Sequence, residues 1–165
     1  MAKMTKTLAG YIRQVPIWGA MSFFAGLVTA IIVFISNNQA DWSINYIPFK
    51  LLGAFLGYMW VSFWNPGGLV TFYLGNHTLT DDEKTLDALS LKYRSRVLMI
   101  LIPILYVLFD LIIGRTRYQT NASYFDAFFG NIIISFWIVA TMTNGVKYIS
   151  AWWNIKKHWK KEFAS

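Results

Sequence analysis

Four long apolar stretches, separated by shorter polar segments, dominate the pattern along the chain. They cover residues 16–36, 47–64, 97–113 and 127–149. A bilayer core about 30 Å thick is crossed by about 20 apolar helical residues, and each stretch approaches or exceeds that length. The stretches do not alternate between apolar and polar residues, as membrane-spanning strands would. The pattern therefore predicts an all-α membrane protein, a single polytopic domain that forms a four-transmembrane-helix bundle over residues 1–165.

The composition agrees with this prediction. Apolar types make up 56 % of the chain and charged types 14 %, against about 45–50 % and about 25 % in an ordinary soluble domain. Cysteine is absent, so disulfides, thiolate metal sites and cysteine nucleophiles are excluded. The composition therefore argues against a soluble globular protein and against a disordered one.

Lysine and arginine are distributed unequally between the polar segments. All but three of the fifteen lie before the first apolar stretch, between the second and third, or at and beyond the end of the fourth. The exceptions are Lys50, Arg115 and Arg117. Because basic residues concentrate on the cytoplasmic side of a membrane protein, both termini and the middle connection are predicted to be cytoplasmic. The predicted location is the inner (plasma) membrane of a cell, with the chain crossing it several times.

The middle connection, residues 65–96, carries a helix-start signal. Thr80 and Glu83 match a capping box, and they predict a short helix over Asp81–Tyr93. Leu86, Leu89 and Tyr93 would share one face of this helix. That face either caps the bundle as a connector or provides a contact for a partner protein.

The carboxyl-terminal tail, residues 150–165, combines a tryptophan face with a lysine face. This pattern is typical of an amphipathic helix that lies in the plane of the interface on an anionic cytoplasmic leaflet. The tail either reinforces topology or recognises lipid headgroups or an acidic protein. No nucleic-acid-binding fold accompanies the charges, so nucleic acid is not an expected partner. The candidate lipid or partner surface consists of Trp152, Lys156, Lys157, Trp159, Lys160 and Lys161.

Small residues recur at four-residue spacing in the first two apolar stretches. Transmembrane helices approach closely where such residues line up. We therefore expect contact within the chain at these two stripes, with homo-oligomer formation as the alternative role. The candidate helix-packing residues are Ser22, Gly26, Ala30, Gly53 and Gly57.

Polar residues inside the predicted spans are the remaining candidates for chemistry. Asp110, the one acid within a span, would form an ion pair with Arg115 or serve as an ion site. The polar residues of the fourth span would form interhelical hydrogen bonds or line a permeation path. These residues are Asn131, Ser135, Thr141, Thr143 and Asn144.

The functional hypotheses follow from what these residues can do. No catalytic, cofactor-binding or metal-binding motif is present, so the leading hypothesis is a non-enzymatic inner-membrane interaction protein. It would contact a partner membrane complex, either as an accessory subunit of a secretion or conjugation machine or as an entry-exclusion or immunity-type inhibitor. The alternative is a small oligomeric transporter or channel that uses Asp110 and the polar face of the fourth span. A lipid-modifying enzyme using Asp81, Asp82 or Glu83 is disfavoured because these acids fit a helix cap.

Overall fold

The protein is all-helical over the part of the chain that the computed structural model describes, residues 6–37, 47–64, 80–113 and 124–163. A π-helical turn, Trp60–Trp64, continues the second helix. No strand occurs among these residues. The α-helices are α1 (Lys6–Asn37), α2 (Ile47–Met59), α3 (Asp81–Tyr93), α4 (Arg96–Ile113) and α5 (Tyr124–Phe163).

Three of the predicted elements agree closely with the structure. The short helix Asp81–Tyr93 has the predicted bounds, and its capping box is confirmed. The second apolar stretch is helical throughout, although it ends in the π-helical turn, and the third corresponds to α4.

The first helix begins at Lys6, so Pro16 lies in the interior of α1 and not in its first turn. Interior prolines are tolerated in membrane helices because neighbouring groups satisfy the freed backbone carbonyl.

The carboxyl-terminal tail is not a separate helix. It continues α5, which runs unbroken from Tyr124 to Phe163 and is about 60 Å long at 1.5 Å per residue. The expectation of a separate tail helix is therefore corrected, because the tail leaves the fourth apolar stretch as part of the same helix, whereas its location at a membrane interface stays a prediction. The strong helix propensity of its lysines allows the helix to extend beyond the apolar stretch.

Helix α5 is the central element of the bundle, and each of the other helices packs against it. Ser22 of α1 contacts Thr141, whereas Gly19, nearer the start of α1, lies against Gly145. Helix α1 therefore runs antiparallel to α5. On α2, an added Cβ at Gly53 would meet Ser135 and one at Gly57 would meet Ala140, so α2 runs parallel to α5.

Helix α4 is also antiparallel to α5. Ser95, just before α4, is hydrogen-bonded to Ser150, and Tyr106 is hydrogen-bonded to Ser135. Helix α3 lies across one end of the bundle, where it contacts the start of α1 through Tyr11 and the later part of α5 through Tyr148. Helix α1 therefore leads away from the end where α3 lies, and α2 leads back to it. Helix α4 then leads away again, and α5 returns to the α3 end.

Among the described residues, two helices are long and apolar enough to cross a membrane, over Leu8–Val33 and Phe129–His158. A shorter apolar helix covers Arg96–Phe109. In the most apolar part of each helix, 22 % of the residues are buried in the first and 56 % in the second. This difference follows from the central position of α5, which the other helices surround.

Candidate functional site: the polar end of the bundle

Helix α3 is anchored at its start by reciprocal hydrogen bonds. The backbone N–H of Thr80 donates to Glu83 Oε2 at 2.6 Å, and the backbone N–H of Glu83 donates to Thr80 Oγ1 at 3.4 Å. Glu83 is nevertheless buried, and its Oε1 accepts a hydrogen bond from the hydroxyl of Tyr11 at 3.2 Å. One carboxylate therefore caps α3 and also ties it to α1.

The apolar face of α3 is covered by the chain itself. Leu86 is 1 % exposed and packs in a cluster with Leu8, Ile12 and Tyr148. Leu89 is also buried. The interpretation of this face as a partner contact is therefore corrected for these two leucines, because Leu86 packs against α1 and α5 and Leu89 is only 7 % exposed.

Tyr93, the third residue predicted on that face, is half-buried at the end of α3. Its ring stacks on His158 with centroids 5.4 Å apart, and its backbone carbonyl accepts a hydrogen bond from Asn154 Nδ2 at 2.8 Å. The tail of α5 thus holds the end of α3. The connector interpretation describes all three residues, because each of them faces another part of the same chain.

The junction between α3 and α4 is held by polar contacts from two sides. The backbone N–H of Ser95 donates to Ser150 Oγ at 3.0 Å, which joins the junction to α5. Arg94 Nη1 donates to the backbone carbonyl of Ser62 at 3.2 Å, which joins it to the π-helical turn. Such a turn leaves carbonyls outside the regular α-helical pattern, and Arg94 satisfies one of them. Burial lowers the pKa of the Arg94 guanidinium, and the positive charge of Arg96 lowers it further.

Asp87 and Lys147 bring opposite charges into the same end of the bundle. The hydroxyl of Tyr148 donates to Asp87 Oδ1 at 3.4 Å. Lys147 is wholly buried, and its Nζ lies 5.0 Å from the centroid of the Tyr148 ring. A buried lysine is rare, because transfer of an ammonium group out of water is costly unless an anion compensates for it.

Four of the five predicted helix-packing residues lie at contacts within the chain. Ser22 and Gly26 face α5 on one side, and Gly53 and Gly57 face it on another. The expected contact within the chain at the two small-residue stripes is therefore confirmed, and both stripes meet α5, since α1 and α2 make few direct contacts with each other. Ala30 of the first stripe is half-exposed.

The other predicted residues are only partly described. Trp152 is half-buried, Lys156 and Lys157 are exposed, and Lys156 Nζ lies 5.4 Å from the Trp152 ring. The side chains of Asp110, Trp159, Lys160 and Lys161, and the whole of Arg115, lie outside the described residues.

The polar residues of the fourth apolar stretch are largely buried in α5. Ser135 Oγ and the hydroxyl of Tyr106 are 2.8 Å apart and share a hydrogen bond. Ser22 Oγ donates to the backbone carbonyl of Thr141 at 2.9 Å, and Asn144 Nδ2 donates to Ser22 Oγ at 3.5 Å. These contacts give the polar face a structural role between helices, as the first of the two hypotheses for it held.

Several residues of this end were not singled out from the sequence. Gly19 and Gly145 pack against each other, and their pairing depends on the register of α1 and α5, which no local pattern contains. Lys147 and Arg94 were used only to predict the orientation of the chain in the membrane. A lysine within an apolar stretch, however, itself indicates a functional or paired group. Among the described residues, no group of three or more His, Cys, Asp or Glu could hold a metal ion.

Comparison with known proteins does not assign this site. No family model, no curated protein and no solved structure matches the chain. Its function is therefore argued from the geometry described above.

Proposed function

We propose that the chain is a multi-pass inner-membrane protein with four transmembrane helices and both termini in the cytoplasm. Large apolar side chains are exposed on the outside of the bundle, among them Phe24 on α1, Phe55 on α2 and Val97 on α4. Monomeric soluble proteins rarely expose contiguous apolar surface of this extent. A surrounding bilayer would cover these side chains without a partner protein.

The path of the chain supports four crossings. Helix α3 packs against the start of α1 and the later part of α5, so it lies at the end of the bundle where the first helix begins. The chain must return from Asn37, the end of α1, to that end before Thr80, and α2 is the element that runs in this direction. Helix α4 then runs antiparallel to α5. A helical stretch of 18 residues, as in α4, extends about 27 Å, close to the thickness of the bilayer core.

The proposed role within the membrane is a non-enzymatic interaction protein that contacts a partner membrane complex. The observation that carries it is the fixed orientation of α3, whose inner face is buried while its opposite face is exposed. We call this opposite surface the outer face of α3. It consists of Asp81, Lys84, Ala88, Leu91 and Lys92.

The outer face is suited to contact because α3 is held rigidly. The capping box fixes its start, Leu86 fixes its middle, and the contact between Asn154 and Tyr93 fixes its end. A rigid helix loses little conformational entropy when a partner binds to it. Roles compatible with this surface are those of an accessory subunit of a secretion or conjugation machine and of an entry-exclusion or immunity-type inhibitor.

Photocrosslinking in native membranes tests this role. A photoreactive amino acid at Leu91, on the outer face, is expected to give a discrete adduct with one other membrane protein. The matched control is the same group at Phe24, which is exposed on the apolar side of α1 and should react with lipid. If both positions give only lipid adducts or adducts of the chain with itself, the proposed role is contradicted.

A second candidate, a small transporter or channel, is supported by a half-open pocket between α1, the π-helical turn and α5. Its volume is about 80 Å³, room for a few water molecules. Ser22, Thr141 and Asn144 give it a polar wall, and Trp60 and Trp137 are among its apolar lining residues. Proton or ion flux in liposomes that falls on Asn144→Leu would favour this candidate, and absence of flux under ion and pH gradients would favour the interaction protein.

A further inference from the structure

Five buried side-chain atoms lack a hydrogen-bond partner within the described part of the chain, and each of them can donate a hydrogen bond. Each unsatisfied buried donor costs about 1–3 kcal/mol, so native proteins contain few of them. Several unsatisfied donors in one region indicate that a ligand binds there. The five atoms are Ser62 Oγ, Ser90 Oγ, Arg94 Nε, Thr143 Oγ1 and Lys147 Nζ.

Two of these donors lie on the face of α5 that meets the α3–α4 junction. Thr143, Lys147, Ser150 and Asn154 follow one another at intervals of three or four residues, which places them on one helix face. Ser150 contacts the junction through Ser95, and Asn154 contacts it through the last residue of α3. Lys147 and Thr143 therefore lie one and two turns deeper on the same face.

The other three donors lie on α3, at the α3–α4 junction and on the π-helical turn. Arg94 reaches the π-helical turn, where its Nη1 binds the carbonyl of Ser62, so Arg94 Nε and Ser62 Oγ belong to neighbouring residues in space. Ser90 precedes Arg94 by four residues and is wholly buried at the end of α3. The five residues, which we call the donor cluster, thus lie on the elements that meet at the junction, namely α3, the π-helical turn and α5.

Cations outnumber carboxylates among the charged groups that act on Lys147 and Arg94. The negative charge of Asp87 attracts the Lys147 ammonium group, and the positive charge of Arg94 repels it. Arg96 in turn repels Arg94. Asp87 is the one carboxylate among these four groups, and it also accepts a hydrogen bond from Tyr148. A single carboxylate cannot balance two partly or wholly buried cations and a third beside them.

We propose that the donor cluster binds a phosphate-bearing anion. Two cations and three hydroxyl groups are the side chains that bind phosphate oxygens, because charge-assisted hydrogen bonds are the strongest that side chains form. Arg94 is half-exposed and Arg96 exposed, which gives the anion an approach from the surface. The phosphate can belong to a phospholipid headgroup or be free in solution. The headgroup source rests on the proposed membrane-spanning arrangement, whereas binding of the anion itself does not.

Native mass spectrometry of the full-length, delipidated protein in detergent tests the proposal. Phosphatidylglycerol and inorganic phosphate are titrated in separate arms, and thermal unfolding is followed in parallel. We expect one bound anion per chain and a higher unfolding temperature. Retention of phosphatidylglycerol identifies a lipid headgroup as the source, and a response to inorganic phosphate alone identifies free phosphate. If neither probe binds in this ratio, the proposal is overturned.

Variants locate the binding site. Arg94→Gln and Lys147→Met are each expected to weaken binding about tenfold or more, because each removes a charged hydrogen bond. Arg13→Gln and Lys84→Met are the matched controls, since each removes the same type of charge from an exposed position. Equal weakening in variants and controls would mean surface electrostatics and overturn the proposal. The milder Ser90→Ala and Thr143→Val should weaken binding without unfolding the bundle, so the test stands even if Lys147→Met does not fold. Unchanged affinity in both of these would likewise overturn it.

Discussion

The middle of the bundle and its α3 end are held together in different ways. In the middle, glycines allow backbones to approach closely, and the hydroxyl groups of Ser22 and Ser135 are hydrogen-bonded across helices. At the α3 end, leucines pack in an apolar cluster beside carboxylates and cations, and several buried donors have no hydrogen-bond partner among the described residues. The middle is complete as an assembly of helices, whereas the α3 end contains groups that packing alone does not explain.

This difference separates residues that hold the fold from residues available for function. In the proposed membrane arrangement, shape and small residues provide the contact between helices that face lipid, because the hydrophobic effect gives little preference for protein over lipid. The α3 end would be in contact with water, where burial of Leu86 or Leu89 is favourable in its own right. Function is therefore expected at the α3 end, on the outer face of α3 and in the donor cluster.

The largest expected effect is on the apolar contact of α3. Leu86→Ala should lower the free energy of unfolding by about 2–5 kcal/mol, because it leaves a cavity in the cluster around Tyr148. Leu91→Ala, on the exposed outer face of the same helix, should change it little. Thermal unfolding in detergent measures both. Equal effects at the two positions would mean that α3 does not pack as described.

A smaller effect is expected from the close contact of α1 and α5. In Gly145→Ala, the added Cβ would lie 2.5 Å from the backbone carbonyl oxygen of Gly19, and the backbones must separate at a cost of about 1–3 kcal/mol. Gly130→Ala is the control, because an added Cβ meets nothing within 4 Å there. The same unfolding assay applies. A Gly145→Ala variant as stable as the Gly130→Ala variant would contradict the close approach of the two helices.

The double role of Glu83 predicts a loss of about 1–2 kcal/mol in Glu83→Ala, since the cap of α3 and the contact with Tyr11 disappear together. Asp81→Ala, which removes an exposed ion pair with Lys84, should leave unfolding unchanged. Limited proteolysis provides a second measurement, because α3 should be cut faster in the Glu83 variant. Equal cutting of the two variants would show that Glu83 does not anchor the helix.

The smallest effect is expected for the hydrogen bond between Tyr106 and Ser135. A double-mutant cycle of Tyr106→Phe and Ser135→Ala should give a coupling energy of about 0.6 kcal/mol, the average for hydrogen bonds between membrane helices, and not above about 1.7 kcal/mol. Chemical unfolding in mixed micelles is the appropriate measurement. A coupling energy of zero would mean that the two hydroxyl groups do not form this hydrogen bond.

Much of the helical structure could be predicted from the sequence, because apolar length and caps are local signals. The start of α3 and its capping box followed from four consecutive residues, Thr80 to Glu83. The packing partner of each glycine could not be predicted, since it depends on which helix is central. The burial of Lys147 was missed for a related reason: the sequence shows a lysine near the end of an apolar stretch, and only the packed bundle shows that its side chain is wholly buried.

The measurement that tests the four-crossing arrangement most directly is cysteine accessibility in intact cells. The protein has no cysteine, so single substitutions Lys6→Cys, Lys84→Cys, Lys157→Cys and Arg117→Cys each report one position. With a membrane-impermeant maleimide added outside, the account predicts labelling at Arg117→Cys and at none of the other three positions. If the chain crossed only through α1 and α5, the Lys84→Cys variant would also be labelled from outside, and that result would contradict the account.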